Sequence, residues 1–268
     1  MPLWKSTLLL LLGLAFSPLT ADDDGDIEPV VAAPPSESEY RGDTDARAQT
    51  DLPIFSLHFV MMANHEKAIA SATPERLSQI EDLLNHKFAS TTGQHLARFK
   101  IRAFVSLEDL QKSSCTELYE AVMANAKDRF NLYWKCKDPN VHAPQGITIF
   151  IKHHDKDKLS YGGQMKGIPY AQINWERFRK DERVFLHELG HAFGLAHSCP
   201  PAKGSGGRPN VMNFIKGCHP LPEGEAGWLY TPSQAEKVKK RRDAYAKKFA
   251  KIKDPVWDKI LADSLLSR

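Results

Sequence analysis

Apolar residues recur along this chain in runs and at intervals that predict its elements. The stretch 53–63, PIFSLHFVMMA, is apolar and β-branched enough to be read as the first strand of the folded part. Leu77, Ile80, Leu84 and Phe88 then recur at helical spacing; Thr73 is placed to cap that helix, Pro74 suits its first turn and Gly93 ends it. ARFKIRAFVS (97–106) alternates as a second strand does, CTELYEAVMANAKDRF (115–130) reads as a helix, and GITIFIK (146–152) reads as a third strand. In 161–175, YGGQMKGIPYAQINW, a glycine-rich loop leads into a candidate edge strand. A helix follows through a histidine-rich segment. The last long helix opens at TPSQ, where Thr231 and Gln234 have the spacing of a capping box and Val238, Tyr245, Phe249 and Ile252 form the buried stripe. Strand, helix, strand, helix, strand, strand, helix is the order of a layered fold of the α+β or α/β class.

The ends of the chain follow other rules. MPLWKSTLLLLLGLAFSPLTADDD carries one Lys, an apolar run from Leu8 to Phe16, then a Pro and small residues. That is the layout of a secretory signal peptide, with cleavage expected after Ala21. The run is far short of the roughly 20 apolar residues a spanning helix needs, so no stable membrane span is expected after cleavage. Residues 22–52 are acidic and rich in Pro and Ser, a composition that packs no core and suits a linker or pro-segment. The expected organisation is therefore 1–21 signal peptide, 22–52 acidic segment and 53–268 folded domain, secreted to the periplasm or the extracellular space and monomeric.

Composition narrows the function classes. At 268 residues, 42% hydrophobic and 26% charged, the chain fits one globular domain with extensions. A formal charge of +3 gives no global electrostatic footprint, which argues against nucleic acid as a partner. The basic run KVKKRR in the last helix is read as a solvated face. Four cysteines without a C-x-x-C pair suit disulfides in an oxidising compartment. Pairing by proximity, Cys115 with Cys136 and Cys199 with Cys218, is the simplest of three connectivities.

The chemistry is concentrated in HELGHAFGLAHS, His187 to Ser198. Residues four apart on a helix lie on one face, so His187 and His191 point the same way. Gly194 can take the left-handed turn that ends the helix, and His197 arrives from beyond it as a third ligand. Three neutral imidazoles at about 2.0–2.1 Å hold a Zn²⁺ ion with one position left for water, the arrangement of catalytic zinc. Glu188, beside the first ligand, is the expected general base, first taking a proton from that water and later delivering it to a leaving amine. The chemistry predicted is metal-assisted hydrolysis of an amide.

In the full pattern H-E-x-x-H-x-x-G-x-x-H, carried by His187, Glu188, His191, Gly194 and His197, the chain resembles the metzincin metallopeptidases, and NVMNF is similar to their Met-turn, with Met212 as its methionine. The resemblance covers about residues 53–268. It implies a twisted mixed sheet with helices above the zinc cleft, an upper subdomain 53–194 and a mostly irregular or helical lower subdomain 195–268. The activity implied is that of a zinc endopeptidase acting on polypeptide. Ser198 after the third histidine is what matrixins show, Phe214 stands where astacins and serralysins have a metal-associated Tyr, and YTPSQ is similar to the pappalysin-like branch, so the subfamily is open. By resemblance, GIPYAQINW is the edge strand that pairs with extended substrate, Tyr170 and Phe214 are candidate substrate contacts, and YRGD (40–43) is similar to the pro-segment element of astacins that places an aspartate, here Asp43, on the zinc. KHHDKD, Lys152 to Asp157, with His153 in it, is read as a solvated charged turn. The alternative from another class is a module that keeps zinc and grips a peptide without cutting it; Glu188 argues against it, since a purely structural zinc site has no use for a base there.

Overall fold

Strand β1 (Ile54–Met61) buries nearly every side chain, because the sheet is covered on both faces. A computed structural model describes residues 51–153, 160–180, 182–198, 211–212 and 229–266. β1 pairs in parallel with β2 (Arg98–Val105) on one side and β3 (Ile147–Lys152) on the other, and β3 pairs in parallel with β5 (Ile168–Asn174). β4 (Tyr161–Met165) closes the sheet antiparallel to β5, giving the order β2-β1-β3-β5-β4. Parallel strands between two helical layers read as continuous apolar runs, which is how PIFSLHFVMMA and GITIFIK stand in the sequence.

The helices are α1 (Glu66–Ser71), α2 (Pro74–Lys87), α3 (Leu107–Lys112), α4 (Thr116–Met123), α5 (Arg129–Tyr133), α6 (Trp175–Lys180), α7 (Arg183–Ala192), α8 (Pro232–Phe249) and α9 (Pro255–Leu266). Alternation along β1 divides the core. Phe55, Leu57, Phe59 and Met61 meet Leu77, Ile80 and Leu84 of α2, Phe185, Leu186 and Leu189 of α7, and Val238, Tyr245 and Phe249 of α8. Val60 and Met62 face the other way, toward Leu110, Leu118, Val122 and Tyr133 of α3 to α5. The fold is thus a mixed five-stranded sheet between helices.

Local signals act as expected in several places. The Thr73 side chain accepts from the Arg76 N–H, and Thr231 with Gln234 completes a reciprocal capping box. Three expectations need correction. The first helix ends at Lys87, before Gly93, which takes φ 80° in the turn beyond. The predicted helix over 115–130 divides into α4 and α5, with Asn125 between them at φ 52°, a left-handed conformation that no helix continues through. GIPYAQINW is not the edge: β5 has a strand on each side, and the edge is the preceding segment YGGQM, read as a loop because glycine is poor in strands. Lys166 and Gly167, at φ 52° and 72°, make the two-residue turn that folds β4 onto β5.

A disulfide joins Cys115, at the start of α4, to Cys136, beyond α5. No helix among the described residues is long and apolar enough to cross a membrane. The expected leader, with Asp43 in it, and the Cys199–Cys218 pairing lie outside the described residues.

Candidate metal centre

α7 is an amphipathic helix whose apolar stripe, Phe185, Leu186, Leu189 and Ala192, locks it to the sheet and leaves His187 and His191 half-buried on another face. Its C-terminus is closed by two bonds, Gly194 N–H to the His191 carbonyl and Leu195 N–H to the Gly190 carbonyl, each 2.9 Å. This is a Schellman motif, and it needs the left-handed residue that Gly194 supplies at φ 85°. The reversal returns His197 over the helix. The Nε2 atoms of the three histidines then lie 3.2, 3.0 and 3.2 Å from one another.

That triangle fits a metal ion. Nitrogens at tetrahedral corners about 2.0–2.1 Å from zinc are about 3.3 Å apart. The hydrogens are accounted for as well. Nδ1 of His187 lies 2.7 Å from the Val211 carbonyl oxygen and Nδ1 of His191 2.7 Å from that of Leu195. A carbonyl only accepts, so both Nδ1 atoms carry a hydrogen, and in the neutral rings both Nε2 atoms present bare lone pairs to each other. Lone pairs converging with no proton between them repel unless a cation sits among them. Desolvation, and then the neighbouring His191, hold the His197 pKa below its usual value, which favours the neutral imidazole a metal requires.

Beneath the helix lies Met212. A Cβ built on Gly190 would fall 2.3 Å from Met212 Sδ and 3.2 Å from Tyr230, so the glycine inside H-E-L-G-H makes room for the methionine. The Met212 carbonyl accepts from the Ser198 N–H, tying the segment after His197 to the turn that also orients His187. Glu188, next to His187 along the helix, is buried, at 4% exposure. Two tyrosines also hold the helix through its carbonyls: Tyr230 donates to the Leu186 carbonyl at 2.6 Å and Tyr245 to the Ala192 carbonyl at 2.8 Å. Burial raises the pKa of both phenols, Tyr245 to about 12, so both remain donors.

The edge strand meets this helix closely. A Cβ on Gly162 would stand 1.8 Å from the Glu188 carbonyl oxygen and 2.9 Å from His191 Cβ. Tyr170 is not brought to the site: it packs with Trp134 and Phe150 on the opposite face of the sheet, its side chain set there by strand alternation. Phe214 lies outside the described residues. His153, expected in a solvated turn, is buried and stacks on His65 with ring centroids 3.4 Å apart, and Lys152, the last residue of β3, is buried as well; residues 154–157 lie outside the described residues. Sequence reasoning missed Gly162 and Tyr230, and read Tyr245 only as part of the buried stripe of the last helix. Only a GG pair in a predicted loop and a tyrosine just before that helix hinted at the first two. No protein-family model matches the chain, and no curated protein matches it.

Proposed function

We propose that the protein is an exported zinc endopeptidase of the metzincin type. The observation that carries this reading is the convergence of three imidazole Nε2 atoms, two with their Nδ1 hydrogens already committed elsewhere, beside the buried Glu188. His187, His191 and His197 would hold the ion. When bound, zinc supplies Lewis acidity that brings the pKa of water to about 7 and polarises a carbonyl.

The chain's own residues supply the rest. Glu188 takes the proton from the attacking water on its carboxylate and hands it to the nitrogen of the departing amine. The Val211 and Leu195 carbonyls hold the first two imidazoles in one tautomer and one orientation. Substrate pairs along β4. Gln164 lies opposite Pro169, which has no N–H, so this pair makes no reciprocal bonds, and by alternation the N–H and C=O of Gln164 and Gly162 point away from β5 toward an incoming strand. The contact of Gly162 with Glu188 sets that strand beside the helix that carries the base.

The test is metal analysis together with cleavage of a mixed peptide library, for the full chain and a Glu188→Ala variant. Zinc near one equivalent in both is expected, with cleavage lower in the variant by about 10²–10⁴-fold. Protein that binds no zinc would overturn the reading. Wild type that holds zinc and cuts nothing would favour the peptide-gripping module.

A further inference from the structure

The formal charge of +3 conceals an asymmetry: residues 52–268 hold 33 Lys and Arg against 23 Asp and Glu. The densest basic run lies on α8. Lys239 pairs with Glu236 and Arg242 with Asp243, which leaves Lys237, Lys240, Arg241, Lys247 and Lys248 without a carboxylate among the described residues. Two of these cations stand at particular places. The Arg241 guanidinium would lie 3.4 Å from a Cβ on Gly194, so it sits over the C-terminus of α7, three residues before His197. Lys248 Nζ donates to the carbonyls of Gly167, at 2.9 Å, and Lys166, at 3.3 Å, at the tip of the β4–β5 hairpin. Lys166 adds its own charge at that tip.

Arg241 and Lys248 are seven residues apart, two turns along one face of the helix, which is about 10 Å. An extended chain covers that distance in about three residues. The row begins where the outward edge of β4 ends. A peptide paired along that edge and running past the tip meets three cations, none with a carboxylate partner among the described residues.

We propose that Lys166, Arg241 and Lys248 form a cationic row that receives an acidic stretch of about three or four residues on one side of the scissile bond of the polypeptide substrate. This rests on the peptidase reading above and adds a substrate class to it. A solvated helix face needs no alignment with the tip of the edge strand. The row has one, and it starts at the place where substrate backbone would leave the sheet. Its position at the end of a strand edge favours polypeptide over other polyanions.

The test uses the full chain and two peptide libraries with the same randomised centre, carrying either four Glu or four Gln at one end, each end in turn. Glu is expected to be preferred over Gln at one end only, by roughly tenfold in kcat/KM at low ionic strength, the preference shrinking toward unity near 1 M salt. In the Lys166→Asp, Arg241→Glu double variant the Glu-to-Gln ratio falls to one or below. Lys166→Asn removes a charge while suiting the left-handed turn, so a partial fall there assigns the effect to charge rather than to hairpin geometry. Zinc content and the melting curve of each variant report its folding. Equal cleavage of the Glu and Gln libraries, still dependent on Glu188, would overturn the row and leave the peptidase standing. If wild type cuts neither library, the peptidase reading fails. Fluorescence anisotropy of labelled Glu and Gln peptides with Glu188→Ala protein then judges the row alone, and equal binding, or tighter binding of an oligonucleotide of the same charge, overturns it.

Discussion

Gly162 has no room for a side chain, and the atom in the way is backbone. A Cβ there would stand 1.8 Å from the Glu188 carbonyl, which can retreat only if α7 or β4 moves. Gly162→Ala is therefore expected to cost about 1–3 kcal/mol and to weaken zinc binding at the same time, because the displaced helix carries two of the proposed ligands. Thermal melts with and without chelator measure both effects. An unchanged melt and unchanged zinc affinity would mean the contact is slack. The legible part of the site was the part fixed by spacing along one helix: His187, His191, the turn at Gly194, and His197 beyond it. The Val211 and Leu195 carbonyls that orient the rings are backbone atoms with no sequence identity, and Gly162 meets its partner 26 residues away, so neither could be read from residue types.

Among the elements, β1 carries a liability its apolar run conceals. His58 is fully buried, its Nε2 2.7 Å from the Val141 carbonyl. Burial pushes its pKa from 6.5 down to about 4; the Val141 bond and Asp254 pull upward, while Arg102 and His142 push further down. The folded state thus holds the proton less tightly than the unfolded state. Stability from this residue is complete above about pH 6.5 and falls as pH drops toward 4, by about 3 kcal/mol in all. Urea midpoints at pH 7 and pH 4 should fall further for wild type than for His58→Gln; equal losses would assign the acid sensitivity to other groups. Elements with strong periodicity or a cap, such as α2 and α8, were legible. The break at Asn125 and the strand made of YGGQM were not, because one depends on a single residue's φ and the other on pairing with β5, which overrides the low strand propensity of glycine.

At the scale of the whole molecule, the sheet separates the disulfide from the candidate metal centre. The disulfide and Tyr133, Trp134 and Phe150 lie on one face, whereas α7 packs on the other. The Cys115–Cys136 link, with a sequence separation of 21, is worth about 3 kcal/mol in chain entropy. Reductant should therefore lower the melting temperature, yet leave zinc content unchanged at temperatures where the fold persists. Zinc lost in step with the thiols, before any unfolding, would show the faces to be coupled. Among the described residues β4 has a partner on one side only. An open sheet edge accepts any extended backbone, including that of another copy of the same protein. At five residues with adjacent glycines, this edge makes a weak template for a lasting added strand. In the proposed peptidase, the shortness that restrains copies from stacking edge to edge would also let a cut peptide leave, so both effects would trace to the same two glycines.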